Sequence, residues 1–304
     1  MKFAGIIAEY DPFHNGHAWQ LAQAKALGAE RVAVAMSCSL VQRGALPLLP
    51  EAVRTRSALT CGADLVFALP APCACAGAEA FARAGVALLA AAGCDGLVFG
   101  AETPDAALLM EAAELLDSDS YRAALKAQLA GGARSFAAAR QAAAAELASD
   151  ERVAALLDKP NNNLAVEYCR AIRSLAPRME AYPLPRQGAN HGEALHSAHG
   201  QFASASALRK LWAEGGADAV APYVPEAVFP LYQEAYAAGQ YTDFSAAGRC
   251  ELALLRSACR GKAPFADIRG VSEGLEHRLE AAVRTSTTYD ELLDALTTVR
   301  YPRA

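Results

Sequence analysis

Two histidines three residues apart, in His14-Asn15-Gly16-His17, carry the strongest chemical signal in the sequence. They follow a short apolar run and stand at the mouth of a predicted helix. A helix N-terminus presents free backbone N–H groups and a partial positive charge to a phosphate. Gly16 allows close backbone approach. Two imidazoles so placed can both reach a phosphoryl group and stabilise charge on its equatorial oxygens during in-line attack at an α-phosphate. The plainer alternative is a pair of capping or solvent-exposed histidines.

A second signal lies far along the chain, in Ala203-Ser204-Ala205-Ser206-Ala207-Leu208-Arg209. Ser204 suits a helix N-cap, Ser206 adds a second hydroxyl, and Arg209 follows about one turn later, able to pair with phosphates. An ordinary capped helix with a surface arginine is the alternative. Arg43, in Gln42-Arg43-Gly44, stands where a phosphate or a substrate carboxylate could be held. His191, His196 and His199 are spaced like metal ligands but lack an accompanying cysteine or carboxylate set, so no protein-held metal is expected.

The elements that must position these residues follow from hydrophobic patterning. Phe3–Ala8 reads as a buried strand, Glu9–Gly16 as a loop, and His17–Leu27 as a helix stopped by Gly28. Arg31–Met36, Asp64–Leu69 and Gly96–Phe99 read as further strands. Arg54–Cys61 and Ala78–Ala92 are the intervening helices. Strands alternating with helices indicate an α/β fold, a Rossmann-like doubly wound parallel sheet. Ligands of such sheets bind at the carboxyl ends of the strands, here the loops after Ala8, Met36, Leu69 and Phe99. A helical insertion is expected over about 104–157. A turn-rich loop at 159–163 then precedes a helix over Leu164–Ser174, and Met179–Leu184 is a fifth strand. The expected domains are 1–215, carrying the phosphate-binding motifs, and a helical C-terminal region, 216–304.

The 304 residues are 53% hydrophobic and 20% charged, enough for a sizeable core and unlike a disordered chain. The net charge of −5 argues against a chain-wide polyanion binder. No apolar run approaches a membrane span, and the N-terminus lacks a signal-peptide layout, so a cytoplasmic location is expected. Eight cysteines without C-x2-C spacing read as buried, reduced thiols.

The histidine and serine–arginine motifs together resemble those of the HIGH-type nucleotidyltransferases. The run Gly5-Ile6-Ile7-Ala8-Glu9-Tyr10-Asp11-Pro12-Phe13-His14-Asn15-Gly16-His17 resembles more closely the start of the bacterial tRNA(Met) cytidine acetate ligases. So do Val41-Gln42-Arg43-Gly44, Asp64-Leu65-Val66 with Leu69-Pro70, and Leu97-Val98-Phe99-Gly100 with Glu102. Lys159-Pro160-Asn161-Asn162 and Val271-Ser272-Glu273-Gly274-Leu275-Glu276 match as well. The resemblance thus spans nearly the whole chain.

It implies ATP-dependent activation of acetate to acetyl-adenylate, then transfer of the acetyl group to N4 of the wobble cytidine of elongator tRNA(Met). It implies ATP contacts from Ile7, Ala8, Glu9, Tyr10, Asp11, Pro12, Phe13, His14, Asn15, Gly16, His17, Ala18, Trp19 and Gln20. Gly100, Asn161 and Arg186 join them, with Asn162 and Asn163 as rivals for the asparagine role. His14, His17, Ser204, Ser206 and Arg209 are the expected catalytic residues, and Mg²⁺ is expected to arrive with ATP.

The sequence departs from that pattern in several places. Asp11 stands where the family is expected to have asparagine, which puts a negative charge near phosphates unless it caps the loop. Ser37-Cys38-Ser39-Leu40 and Pro50-Glu51-Ala52-Val53 are also atypical. Family members are expected to continue for roughly another helical domain, and residues 251–304 hold eight basic and eight acidic residues, so this segment is not a basic arm. Two other functions share the motifs: a small-molecule adenylyltransferase acting on a phosphorylated precursor, and a non-catalytic nucleotide- or RNA-binding protein.

Overall fold

In the computed structural model, residues 1–42, 44–132, 135–186, 195–197, 200–260, 264–268, 271 and 274–298 are described. Five strands form one parallel sheet: β1 (Phe3–Ala8), β2 (Arg31–Ser37), β3 (Leu65–Leu69), β4 (Gly96–Ala101) and β5 (Glu180–Pro185). Their order is β3-β2-β1-β4-β5. The chain therefore steps outward from β1 in one direction, then crosses back to β4 on its other side. This reversal opens a crevice at the carboxyl ends of β1 and β4, the place a doubly wound sheet offers a ligand. The α/β expectation holds.

Both faces of the sheet are covered, which is why its strands are near-continuous apolar runs. On one face, α4 (Ala78–Ala91), α5 (Ala106–Asp117) and α9 (Pro160–Leu175) bury Leu89, Leu97, Val166 and Ile172. On the other, α1 (Asn15–Ala26), α2 (Glu51–Thr60), α10 (Ala205–Ala219) and α11 (Phe229–Ala237) bury Ile6, Leu21, Val34 and Trp212. Gly85 of α4 allows that face to close. A Cβ on it would come within 2.5 Å of Ile7 Cδ1, so the strand side chain lies against bare helix backbone.

The insertion is helical, as expected. α6 (Asp119–Ala130), α7 (Phe136–Leu147) and α8 (Glu151–Leu156) follow α5. Glu167 of α9, only 3% exposed, anchors this region through Arg170 at 2.7 Å and Arg140. Arg170 also reaches Asp117 of α5 at 2.8 Å.

Several expectations are corrected. The asparagine run is not a loop before a helix: Pro160 occupies the first turn of α9 and Asn161, Asn162 and Asn163 continue it. A short helix, α3 (Ala71–Ala74), follows β3. Two short antiparallel strands, β6 (Leu195–Ser197) and β7 (Gly200–Phe202), precede α10. Both were absent from the sequence reading. The cysteines are free, but not all are buried; Cys250 is exposed.

The chain forms two compact units, one from Met1–Gly132 and Ala137–Tyr241, the other from 133–136 and Thr242–Ala304. The division follows Tyr241, whereas the sequence expectation put it after 215. α11 belongs with the sheet because the Tyr232 hydroxyl donates to the Phe13 carbonyl at 2.7 Å and its ring is fully buried. In the smaller unit α12 (Phe244–Ala258), α13 (Leu275–Thr285) and α14 (Tyr289–Leu296) pack around Leu252, Phe265, Val283 and Leu292.

Candidate active site

The β1–α1 connection shapes the site. Tyr10 is fully buried with φ of 50°, a left-handed conformation that a side chain adopts only under tertiary constraint. The Asp11–Pro12 peptide is cis. The chain then enters α1 through a capping box made of histidines. His14 is the N-cap; its Nδ1 accepts from the Gly16 N–H at 3.0 Å. His17 Nδ1 accepts from the His14 N–H at 3.3 Å. With Nδ1 occupied as an acceptor, each imidazole carries its proton on Nε2 and offers an N–H donor there. The rings stack with centroids 3.8 Å apart, and His17 also packs on Tyr10 and Phe13.

Burial sets the charge of both rings. Desolvation, with a smaller contribution from Arg186, lowers the His14 pKa to about 3. Desolvation, then His14 and Arg186, holds His17 well below its ordinary value. Near pH 7 both are neutral donors. The role of Gly16 is visible here. A Cβ would sit 2.9 Å from His14 Cε1, so any side chain would displace the capping imidazole.

A cavity of about 280 Å³ opens at the carboxyl end of β1. Ile7, Ala8, Glu9, Tyr10, Asp11, His17 and Gln20 line it, together with Gln42, Phe81, Asn161, Leu164, Tyr168 and Ala205. Gln20 is held toward β4 by donating to the Val98 carbonyl at 3.2 Å. Other side chains of the 7–20 segment do structural work. Phe13 is buried, Ala18 and Trp19 pack on the α1–α10 core, and Asn15 donates to the Pro222 carbonyl at 3.3 Å.

The helix N-termini of α9 and α10 reach the same cavity through Asn161 and Ala205. Ser204 caps α10, accepting from the Ala207 N–H at 3.2 Å, and its Oγ lies 3.0 Å from Ser206 Oγ. Arg209 does not extend into open space. Its Nη1 donates to the Asp11 carbonyl at 2.6 Å and to Asp11 Oδ2 at 3.1 Å. Asp11 Oδ1 accepts from the Leu48 N–H at 2.6 Å. Burial raises the Asp11 pKa, and Arg209, the Leu48 N–H and Arg54 oppose that rise. The unexpected aspartate is thus a loop brace, neutralised by the very arginine that sequence motifs associate with phosphates.

The asparagines separate cleanly. Glu102 caps α9, accepting from Asn161 Nδ2 at 2.6 Å and from the Asn162 N–H at 2.7 Å. Asn161 Oδ1 accepts from Arg186 Nη1. Asn162 is buried and bonds both the Thr103 N–H and Oγ1. Asn163 donates to the Leu157 and Lys159 carbonyls. Only Asn161 both faces the cavity and carries a cation. Gly100 lies beside the Arg186 stem; a Cβ on it would contact Arg186 Cγ at 3.5 Å. Arg43, His191 and His199 lie outside the described residues, as does the His196 side chain.

Sequence reasoning missed Arg54. It is fully buried and donates to the carbonyls of Leu49 at 2.9 Å, Glu9 at 2.7 Å and Ser37 at 2.6 Å, and to that of Cys38. One guanidinium thereby ties together the chain ends leaving β1 and β2. The available signal was its place on the buried stripe of α2, with Val53, Ser57 and Ala58. Among the described residues no group of three or more His, Cys, Asp or Glu is placed to hold a metal. Among them, too, no helix is long and apolar enough to cross a membrane.

Comparison with known proteins accords with this geometry. The family model of the HIGH nucleotidyl transferases matches residues 1–304. The tRNA(Met) cytidine acetate ligase of Syntrophotalea carbinolica is 36% identical over 306 residues, covering all of this chain and 71% of its own length. Among solved structures, apo Thermotoga maritima TmcAL superimposes with a TM-score of 0.90 at 30% identity, over 99% of this chain and 72% of that one. The same enzyme bound with alpha-thio ATP superimposes with a TM-score of 0.88 at 29% identity. By sequence and by fold, this chain belongs to the tRNA(Met) cytidine acetate ligase family of HIGH nucleotidyl transferases.

Proposed function

We propose that this protein activates acetate with ATP and transfers the acetyl group to N4 of the wobble cytidine of elongator tRNA(Met), in the cytoplasm. The observation that carries the reading is the pair of neutral imidazoles at the N-terminus of α1, each with Nδ1 occupied by a backbone amide. Their Nε2–H groups and Arg186 are donors suited to a phosphate, and the positive dipole ends of α1 and α10 favour its charge.

In the first step an acetate oxygen attacks the α-phosphorus. The bond from that phosphorus to the β-bridging oxygen breaks, and pyrophosphate departs with the electron pair. His14 and His17 donate to the α-phosphate oxygens as charge develops, and Arg186, positioned by Asn161, holds the nucleotide. Ser204 and Ser206 present hydroxyls to the departing phosphates. In the second step the cytidine N4 attacks the acetyl carbonyl, AMP leaves, and N4 gives up a proton to solvent. No protein nucleophile is required; positioning and charge stabilisation suffice.

When bound with the nucleotide, Mg²⁺ would supply charge neutralisation at the phosphates. Its ligands would be phosphate oxygens and water, because Glu9 is bonded to the Gln42 N–H and Asp11 is committed to Leu48 and Arg209. Arg43 is proposed to contact substrate.

The test is incorporation of labelled acetate into elongator tRNA(Met) with ATP, followed by nucleoside analysis. N4-acetylcytidine at the wobble position supports the proposal. Acetyl-adenylate without labelled tRNA would limit the function to activation.

A further inference from the structure

The cavity lining is chemically mixed. Glu9, Asp11, His17, Gln20, Gln42 and Asn161 provide polar groups, whereas Phe81 of α4, Leu164 and Tyr168 of α9 and Ile7 of β1 belong to one apolar cluster and form its wall on that side. Asn161, Leu164 and Tyr168 are three and four residues apart, so they share one face of α9. The rise of about 1.5 Å per residue puts Leu164 roughly 4.5 Å along the axis from Asn161. That is the scale of a short acyl group attached to a phosphorus held near Asn161.

The wall is firm. Phe81 and Tyr168 are 2% and 5% exposed, and the Tyr168 ring packs on Phe99 at 5.4 Å. Ile7 is fixed against Gly85. Ile7 and Leu164 are both only partly buried, and Leu164, which is not pinned against a glycine of α4, is the wall residue whose size most directly limits the space. No lysine or arginine occurs among the described lining residues, whereas the carboxylates of Glu9 and Asp11 do, so the lining disfavours a phosphorylated acceptor and its apolar side suits a methyl group.

We infer that the apolar side of the cavity, walled by Ile7, Phe81, Leu164 and Tyr168, is the acyl subsite and that Leu164 sets the length of the acid accepted. The inference rests on the acid-activating reading above. The carboxylate lies toward His17 and Asn161, beside the α-phosphate, and the alkyl group points at Leu164. One methylene in a hydrophobic pocket is worth about 10–200-fold in discrimination.

Acid-dependent exchange of labelled pyrophosphate into ATP, measured with acetate, propionate and butyrate, tests it. The wild type favours acetate. Leu164→Ala raises the propionate-to-acetate ratio of kcat/KM by at least about tenfold, with the ATP Kd unchanged. Leu164→Phe fills the same space and raises the acetate KM by about tenfold without changing the ATP Kd, which reads the subsite independently should the alanine variant not fold. An unchanged acid ratio in a folded, ATP-binding Leu164→Ala variant, or an unchanged acetate KM in Leu164→Phe, overturns the subsite alone. A wild type that binds ATP but exchanges with none of the three acids overturns the underlying reading instead.

Discussion

Of the three helices that present their N-termini to the cavity, α1 and α9 are capped in opposite ways. At α1 the cap is a neutral imidazole, His14, which satisfies the Gly16 N–H without adding charge. At α9 the cap is a carboxylate, Glu102, which bonds the amides of Asn161 and Asn162 from 59 and 60 residues away in sequence. A carboxylate cancels the positive end of a helix; a neutral cap leaves it available. The α1 terminus therefore stays receptive to a phosphate. The α9 terminus is electrically closed and serves as a rigid mount from which Asn161 holds Arg186. One structural device thus gives the proposed anion site in one place and a scaffold in the other.

Exchanging the caps should break the comparison most severely. Asp is a good N-cap, so His14→Asp keeps the thermal stability near that of the wild type while placing a negative charge beside the phosphate. Acid-dependent pyrophosphate exchange should fall by at least about 10²-fold, the scale of losing one transition-state donor. Retained exchange would show that α1 is not the anion site. His17→Ala should lose activity on the same scale with an unaltered circular dichroism spectrum.

The brace behind α1 is the next largest effect. Arg209→Ala leaves the Asp11 carboxylate, 3% exposed, without its hydrogen-bonded cation. Denaturant unfolding should show a loss on the order of 3 kcal/mol. Asp11→Asn keeps an acceptor for the Leu48 N–H and should cost less; combined with Arg209→Ala it should restore much of the lost stability. Additive losses in the double variant would contradict the brace.

The neutral caps should also leave a pH signature. The unfolded chain protonates its histidines near pH 6.5, whereas folded His14 resists protonation until about pH 3 and His17 until well below its ordinary value. Between those limits the unfolded state binds more protons, so stability falls as pH falls. Asp11, its pKa raised by burial, acts in the opposite sense. Replacing both histidines by glutamine should flatten the loss of Tm between pH 7 and pH 5. An identical loss in that variant would remove the histidines as its cause.

The smallest effect sharpens the α9 side. Burial pushes the Glu102 carboxyl up, but hydrogen bonds from the Asn161 side chain and the two backbone amides outweigh it and hold the pKa low. Glu102→Gln keeps an acceptor while removing the charge. It should cost about 0.3–1 kcal/mol and change the ATP KM less than threefold, as calorimetry and exchange kinetics would show.

The comparison also explains what the sequence made legible. The α1 side is local: strand, turn, His14, Gly16 and His17 are consecutive, and helix-terminus physics reads them directly. Ser204 as a cap is legible for the same reason. The α9 side is not. Pro160 and three asparagines resemble a turn until Glu102, the residue after β4, satisfies the exposed amides and lets the helix start at Pro160. Arg209 was readable as a cation near the site, but its partner Asp11 is 198 residues away, and no local pattern reveals that pairing. Arg54 shows the same limit, since four backbone carbonyls converge on it only once β1 and β2 lie side by side.

Acid activation at the α1 terminus is most directly tested by exchange of labelled pyrophosphate into ATP by the wild-type chain, with acetate and no tRNA. The neutral-imidazole site predicts exchange that requires acetate and disappears in His17→Ala. A wild type that binds ATP yet shows no acetate-dependent exchange would contradict it.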